Sequence, residues 1–316
     1  MEFIEFIEFI EFIEFIEFRK VREVRKMPNP IFIAGCGYIG ERLAGLYRES
    51  GADVTCMVRS PEHAERLRSA GFTTVVSSLD DPYPISNLNL ADATIFYLVP
   101  PPGGGISDSR ARNFIAKMAE SGRAARIVYM SATSVYGETS GGVVTEKSSA
   151  LPASAMGKRR LDAEEAFKIY GAKNDVPFVI LRVSGIYGFG RLPLMQINQG
   201  QPLLREEESG FSNRIHADDL ATICIAAAEK GGDGAIFNVS DGHPSSMTSY
   251  FNACADALNL PRQPQVTLKE ARRVMSPLMF SYISESRIVD NSLMLERLEI
   301  KLRYPSMLEG LLASVE

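Results

Sequence analysis

From Ile31 onward, short runs of apolar and β-branched residues alternate with longer stretches whose apolar positions recur every three or four residues. "IFIAG" reads as a buried strand and "ERLAGLYRES" as a helix stopped by Gly51. "DVTCMV", the helix "EHAERLRSA" closed at Gly71, and "TTVVSS" continue the alternation. "ATIFYLV" predicts a fourth strand, followed by the loop "PPPGGGISDS". The helix "RNFIAKMAES" then places Phe114, Ile115 and Met118 on one face and stops at Gly122. "ARIVYMS" and "PFVILRV" bracket a further helix that begins "SAMGKRRLDAEEAF". Strands that alternate with helices predict parallel pairing, hence an α/β fold with a doubly wound parallel sheet.

The rhythm changes after Arg182. "HADDLATICIAAAEKGG" predicts a helix with Asp218 as its cap, and "AIFNVS" a strand that can rejoin the sheet. From about Pro244 the chain is helix-rich, with Thr267 and Glu270 at capping-box spacing. These boundaries divide the chain into a dinucleotide-binding domain over 28–183 and a small, helix-rich substrate-side lobe over 184–316. Segments of the lobe return to the sheet. Residues 1–26 repeat "EFI", a period of three that keeps neither a helical nor a strand face apolar. They are expected to stand outside the fold, with Met27 a natural start.

Composition narrows the function classes. The 316 residues are 45% hydrophobic and 23% charged, with a net charge of −5 and no basic stripe, which argues against a nucleic-acid partner. No apolar run is long enough to span a membrane. Three scattered histidines lack metal-ligand spacing, so no metal is expected. Cys36, Cys56, Cys224 and Cys254 form no CxxC pair and fit reduced thiols in a cytoplasmic compartment. A small-molecule ligand is the expected partner, and oligomerisation stays open.

The chemistry begins at "IFIAGCGYIGERLAG". Gly35, Gly37 and Gly40 follow the G-x-G-x-x-G pattern between a strand and a helix, with Tyr38 and Ile39 inside the same turn. Gly35 suits a tight turn, Gly37 close backbone approach to a pyrophosphate, and Gly40 close packing of helix on strand. The second strand ends "CMVRS", where a carboxylate would accept from the ribose 2′-hydroxyl of NAD. Arg59 and Ser60 stand there instead and favour the 2′-phosphate of NADP over NAD. Asp80 is placed to contact the adenine edge, and Leu98, Val99 and Pro100 to line the cofactor groove.

The ordered set "GCGYIG", "MSATSVYGE", "LRVSGIYGFGR", "HADDLA", "FNVSDGHP" and "YPSMLEGL" resembles the extended or atypical short-chain dehydrogenase/reductases, the NAD-dependent epimerase/dehydratase family. The likeness runs from about residue 30 to the C-terminus, and departs at the nucleotide loop, where that family more often carries G-x-x-G-x-x-G. The resemblance implies an oxidoreductase or epimerase acting on a small polar, sugar-like substrate. It also implies a Ser or Thr after the fifth strand and a Tyr-x-x-x-Lys pair on the next helix, the Lys lowering the Tyr pKa for proton transfer. Those positions hold Ala132, Met156 and Arg160, so all three differ. The face carrying Met156 and Arg160 is expected to point inward.

Replacements drawn from the same segments are Ser131, Thr133 and Arg160, while Lys158 belongs to the solvated side of the helix. Tyr136, Ser184, Tyr187 and Arg191 fall where the family's substrate meets its cofactor. Arg191 suits either an anionic substrate or a salt bridge to "REEES". Asp219 reads as structural, and "PPPGGG" as a lid or an ordinary loop. Methionine cannot donate a proton, so the alternative is a non-catalytic NADP(H)-binding sensor.

Overall fold

The structure is a computed structural model that describes residues 29–80, 88–275, 280, 283 and 285–315. The "EFI" repeat and Met27 lie outside the described residues. Seven strands form one parallel sheet: β1 (Ile31–Ala34), β2 (Val54–Val58), β3 (Thr73–Val76), β4 (Thr94–Tyr97), β5 (Arg126–Ala132), β6 (Phe178–Val183) and β7 (Ala235–Val239). Their spatial order is β7-β6-β5-β4-β1-β2-β3. The strand "AIFNVS" therefore does rejoin the sheet, at the edge beside β6.

Strand residues alternate between two apolar layers, as their period of two requires. Ile31, Ile33, Phe96, Val128 and Leu181 face α1 (Tyr38–Glu49), α2 (Pro61–Ser69) and α5 (Ala217–Lys230). Phe32, Ile95, Tyr97, Tyr129 and Ile180 face α3 (Ser109–Met118) and α4 (Ala155–Asn174). In that second layer Tyr97 packs its ring 5.2 Å from Phe114 and 5.1 Å from Phe167. Of the face expected on α3, Phe114 and Met118 are buried and Ile115 half-buried. All four cysteines are buried and free.

The cap of α5 corrects the sequence reading. His216, and not Asp218, occupies the N-cap, and its Nδ1 accepts from the Asp218 amide at 3.2 Å. Asp218 instead pairs with Arg42 Nε at 2.9 Å and joins α5 to α1. Asp219 accepts from the amides of Arg303 and Tyr304 at 2.7 and 3.0 Å, so it docks the C-terminal segment, in agreement with its structural reading. Thr267 and Glu270 do form a capping box.

The lobe is laid along the carboxyl edge of the sheet by paired short strands. Gly185–Tyr187 lies parallel to Arg214–His216, and Val143–Val144 parallel to Ile288–Val289. Its own core gathers Tyr187, Ile197, Leu203 and Leu311 around α6 (Met247–Ala257).

Gly157, in the first turn of α4, presses on the segment after β5: a Cβ there would lie 2.5 Å from the Ser134 carbonyl oxygen and 2.8 Å from Pro152 Cβ. Gly157→Ala should lower unfolding stability by about 1–3 kcal/mol, the cost of overpacking. An unchanged urea midpoint would show that the contact is slack.

Candidate cofactor and substrate site

The strand order reverses between β1 and β4, and the chain leaving β1 turns there. Gly35 adopts φ +86°, and a Cβ on it would lie 2.9 Å from Val99 Cγ2. The amides of Gly35 and Cys36 donate to the Met57 carbonyl at 3.1 and 3.0 Å. Gly37 is the N-cap of α1 and brings no side chain to the helix end. No side chain caps the helix by hydrogen bonding to its first-turn amides, which leaves those donors for a ligand. Gly40 lets the helix close on β1, its absent Cβ 3.2 Å from Ile33 Cγ2.

The two residues inside the turn have separate duties. Ile39 is buried in the core. The Tyr38 hydroxyl donates to the Phe189 carbonyl at 2.8 Å, and its ring carries the guanidinium groups of Arg42 at 4.0 Å and Arg191 at 5.2 Å. Arg191 thus lies on Tyr38 and forms no salt bridge with the "REEES" segment among the described residues.

After β2, Arg59 projects into solvent with 73% of its side chain exposed, its Nη1 3.9 Å from Asp80 Oδ2. Ser60 caps α2 by accepting from the His63 amide at 3.2 Å. Asp80 accepts from Arg110 Nε at 2.6 Å, and this hydrogen bond holds its carboxyl below the usual carboxylate range. Arg110 also donates to the Pro100 carbonyl at 3.0 Å. Sequence reasoning missed Arg110, which ties Asp80 to the groove wall of half-buried Leu98 and Val99 and exposed Pro100.

The segments around the end of β5 and the start of α4 differ most from the sequence reading. Ser131 is buried and donates to Glu164 Oε1 at 2.6 Å. Glu164, fully buried, is gripped by Arg182 through Nε at 3.1 Å and Nη2 at 2.8 Å. The Tyr136 hydroxyl donates to Asn238 Oδ1 at 2.6 Å beneath the Arg182 guanidinium. Tyr187 is 1% exposed in the lobe core, edge-on to His216 and Tyr250. Ser131, Tyr136 and Tyr187 are therefore occupied inside the protein, which corrects their placement at a reacting or substrate surface. A stripe of Arg160, Glu164 and Phe167 at helical spacing was the available signal for Glu164.

Thr133 opens the turn after β5 (Thr133–Tyr136), is buried, and makes no hydrogen bond with its hydroxyl among the described residues. Met156 is 36% exposed, so the face expected to point inward does so only from Arg160 onward. Arg160 Nη1 donates to the Met130 carbonyl at 2.8 Å, while its Nε is buried without a partner. Lys158 is exposed, as expected. The neighbouring Arg159 holds the "PPPGGG" loop, donating to the carbonyls of Gly104 and Gly105 at 3.1 and 2.8 Å. The Ser184 hydroxyl is buried and unpartnered.

A family model described as NAD(P)H-binding matches residues 35–230, a span that includes the whole glycine turn and α5. The chain belongs to this NAD(P)H-binding family. It is 27% identical over 233 residues to protein YeeZ of Escherichia coli K12, covering 70% of this chain and 81% of YeeZ. It is 31% identical over 117 residues to the uncharacterized protein y4nG of Sinorhizobium fredii, covering 34% of this chain and 28% of the length of y4nG. A functionally unknown conserved protein from Silicibacter pomeroyi is similar over 90% of this chain and 96% of its own, with 26% identity and a TM-score of 0.76. MoeE5, solved with UDP-glucose and NAD, is similar over 90% of this chain and 97% of its own, at 22% identity and TM-score 0.70. UDP-N-acetylglucosamine 4-epimerase from Bacillus cereus covers 91% of this chain with 98% of its own, at 20% identity and TM-score 0.65. The NAD(P)H-binding chain thus has an epimerase/dehydratase-like fold. Among its described residues, no helix is long and apolar enough to cross a membrane.

Beyond β7, Asp241 accepts from the His243 amide at 2.9 Å through Oδ1, and its Oδ2 has no partner. Burial pushes this carboxyl up to about 6. Unfolded, it titrates near ~4, so between these values the folded chain binds the extra proton and stability falls as pH rises. Asp241→Asn keeps the Oδ1 acceptor and should be more stable than the wild type above pH ~6 by about 2–3 kcal/mol, with the gap closing toward pH ~4. Parallel urea titrations at both pH values check this.

Proposed function

We propose that the chain binds NADP(H) in preference to NAD(H) and transfers hydride to or from a small polar substrate, as an oxidoreductase or epimerase whose catalytic set is not the Tyr–Lys pair. The helix end at Gly37, whose first-turn amides receive no side-chain cap, carries the cofactor part of this reading. Diphosphate oxygens would accept from these amides, in the field of the helix dipole. Bound there, NADP(H) supplies the hydride chemistry, and Arg59, solvent-facing and without a capping duty, would meet the 2′-phosphate. MoeE5 was solved with NAD and UDP-glucose, which supports a nucleotide-sugar-like scale of substrate.

In this reading Thr133 is the hydroxyl that replaces the missing one at Ala132, because it is not bound to another protein group among the described residues. Arg160 holds the Met130 carbonyl and contributes positive charge without donating a proton. The commitment of Ser131 and Tyr136 to internal partners, with Met156 in place of a phenol, favours a second reading: a cofactor-binding sensor without turnover.

NADPH at ~100 times its Kd should stabilise the chain by about 2.7 kcal/mol. A melting temperature unmoved by NADP, NADPH, NAD and NADH would remove the cofactor reading. Arg59→Ala should weaken NADPH about tenfold by loss of a charge-assisted contact and leave NADH unchanged. Fluorescence titration of both nucleotides measures the difference. Hydride exchange against sugar-nucleotide and aldehyde panels separates enzyme from sensor: Thr133→Val should slow turnover ~10²-fold in the first case, whereas the sensor shows no turnover at all.

A further inference from the structure

We infer that Arg214 anchors an oxyanion-binding subsite beside the carboxyl end of β6, where a carboxylate or phosphate of the substrate would dock; in naming that molecule as substrate, the inference rests on the function proposed above. Arg214 lies in the short strand parallel to Gly185–Tyr187 and is 7% exposed. Its guanidinium sits 3.8 Å over the Tyr250 ring, and Nη2 donates to Ser212 Oγ at 3.1 Å and meets Met247 Sδ at 3.7 Å. None of these partners carries a formal negative charge. Nε is buried without a partner, and the guanidinium forms no ion pair among the described residues.

Withdrawing a guanidinium from water is costly, and a stacked tyrosine returns only part of that cost. An anionic ligand supplies the missing compensation. The way in is at Gly185, which is exposed and whose absent Cβ would lie 2.9 Å from Arg214 Nη1. Glycine there leaves the Nη1 edge of the guanidinium uncovered. The preceding residue, Ser184, holds a buried hydroxyl without a partner, a further donor at this end of β6. Asp241 is the neighbouring carboxylate; its amide donates to the Arg214 carbonyl at 2.7 Å, yet its side chain forms no ion pair with the guanidinium. Its bare Oδ2 would accept from a hydroxyl on the same ligand, which fits a substrate both acidic and hydroxylated.

The test uses the full chain saturated with NADPH, so that the glycine turn is already filled. Inorganic phosphate and acetate are titrated separately at constant ionic strength, and the melting temperature is read. A saturable rise with either anion is expected in the wild type, the responding anion identifying phosphate or carboxylate. Arg214→Gln should weaken that response at least tenfold, and Arg214→Lys should recover part of it. Should Arg214→Gln fail to fold, Gly185→Leu keeps the arginine but crowds its Nη1 edge with a side chain, and should abolish the response alone. NADPH affinity, measured independently by fluorescence, should be unchanged in each variant. No saturable response in the wild type, or an equal response in Arg214→Gln or Gly185→Leu, overturns the subsite. If NADPH itself fails to bind, the cofactor reading falls, and the same anion titrations on the nucleotide-free chain still judge Arg214 by comparison with Gly185→Leu.

Discussion

The close approach of Gly35 to the end of β4 is the constraint on which the nucleotide site depends. With Val99 Cγ2 only 2.9 Å from where a side chain would begin, and a φ of +86°, the turn is closed to other residues on both steric and backbone grounds. This turn delivers Gly37 to the front of α1 and leaves the helix amides without a protein cap. Parallel pairing of β1 with both β2 and β4 creates the crevice into which these amides open. Tyr38 then extends the constraint outward by holding the Phe189 carbonyl, so the cofactor turn and the first segment of the lobe share one anchor.

A second constraint acts at the centre of the sheet. The Ser131–Glu164–Arg182 cluster is buried on the α4 side of β5 and β6, and Tyr136 extends it to Asn238 on β7. Removing either charge would leave the other uncompensated in a medium of low polarity. Side chains that the sequence reading set beside the nicotinamide are thereby held inside the fold, whereas Thr133 and a half-buried Arg160 stand outside this cluster. Arg214 presents a different situation: a buried cation with an aromatic face, a hydroxyl and a thioether, but no ion pair among the described residues, Asp241 acting on it only through space. One guanidinium is paired inside the fold; the other has no ion-pair partner among the described residues.

Local pattern decided much of the architecture. Alternating apolar runs and amphipathic helices fix parallel, doubly wound pairing, because each strand must be covered on both faces and each helix on one. Gly35 and Gly40 were legible because positions that exclude side chains leave that exclusion in the sequence itself, and Gly37 through its spacing between them. That Ala132 and Met156 cannot supply a proton was equally legible, because neither side chain carries a titratable one. The fates of individual polar groups were decided only by tertiary structure. Ser131 meets Glu164 across 33 positions, Tyr136 meets Asn238 across 102, and Tyr38 reaches Phe189 across 151. A hydroxyl reads the same in sequence whether it faces a ligand or a buried carboxylate. Packing of distant segments, through desolvation and the need to satisfy each buried charge, determines which of the two it faces.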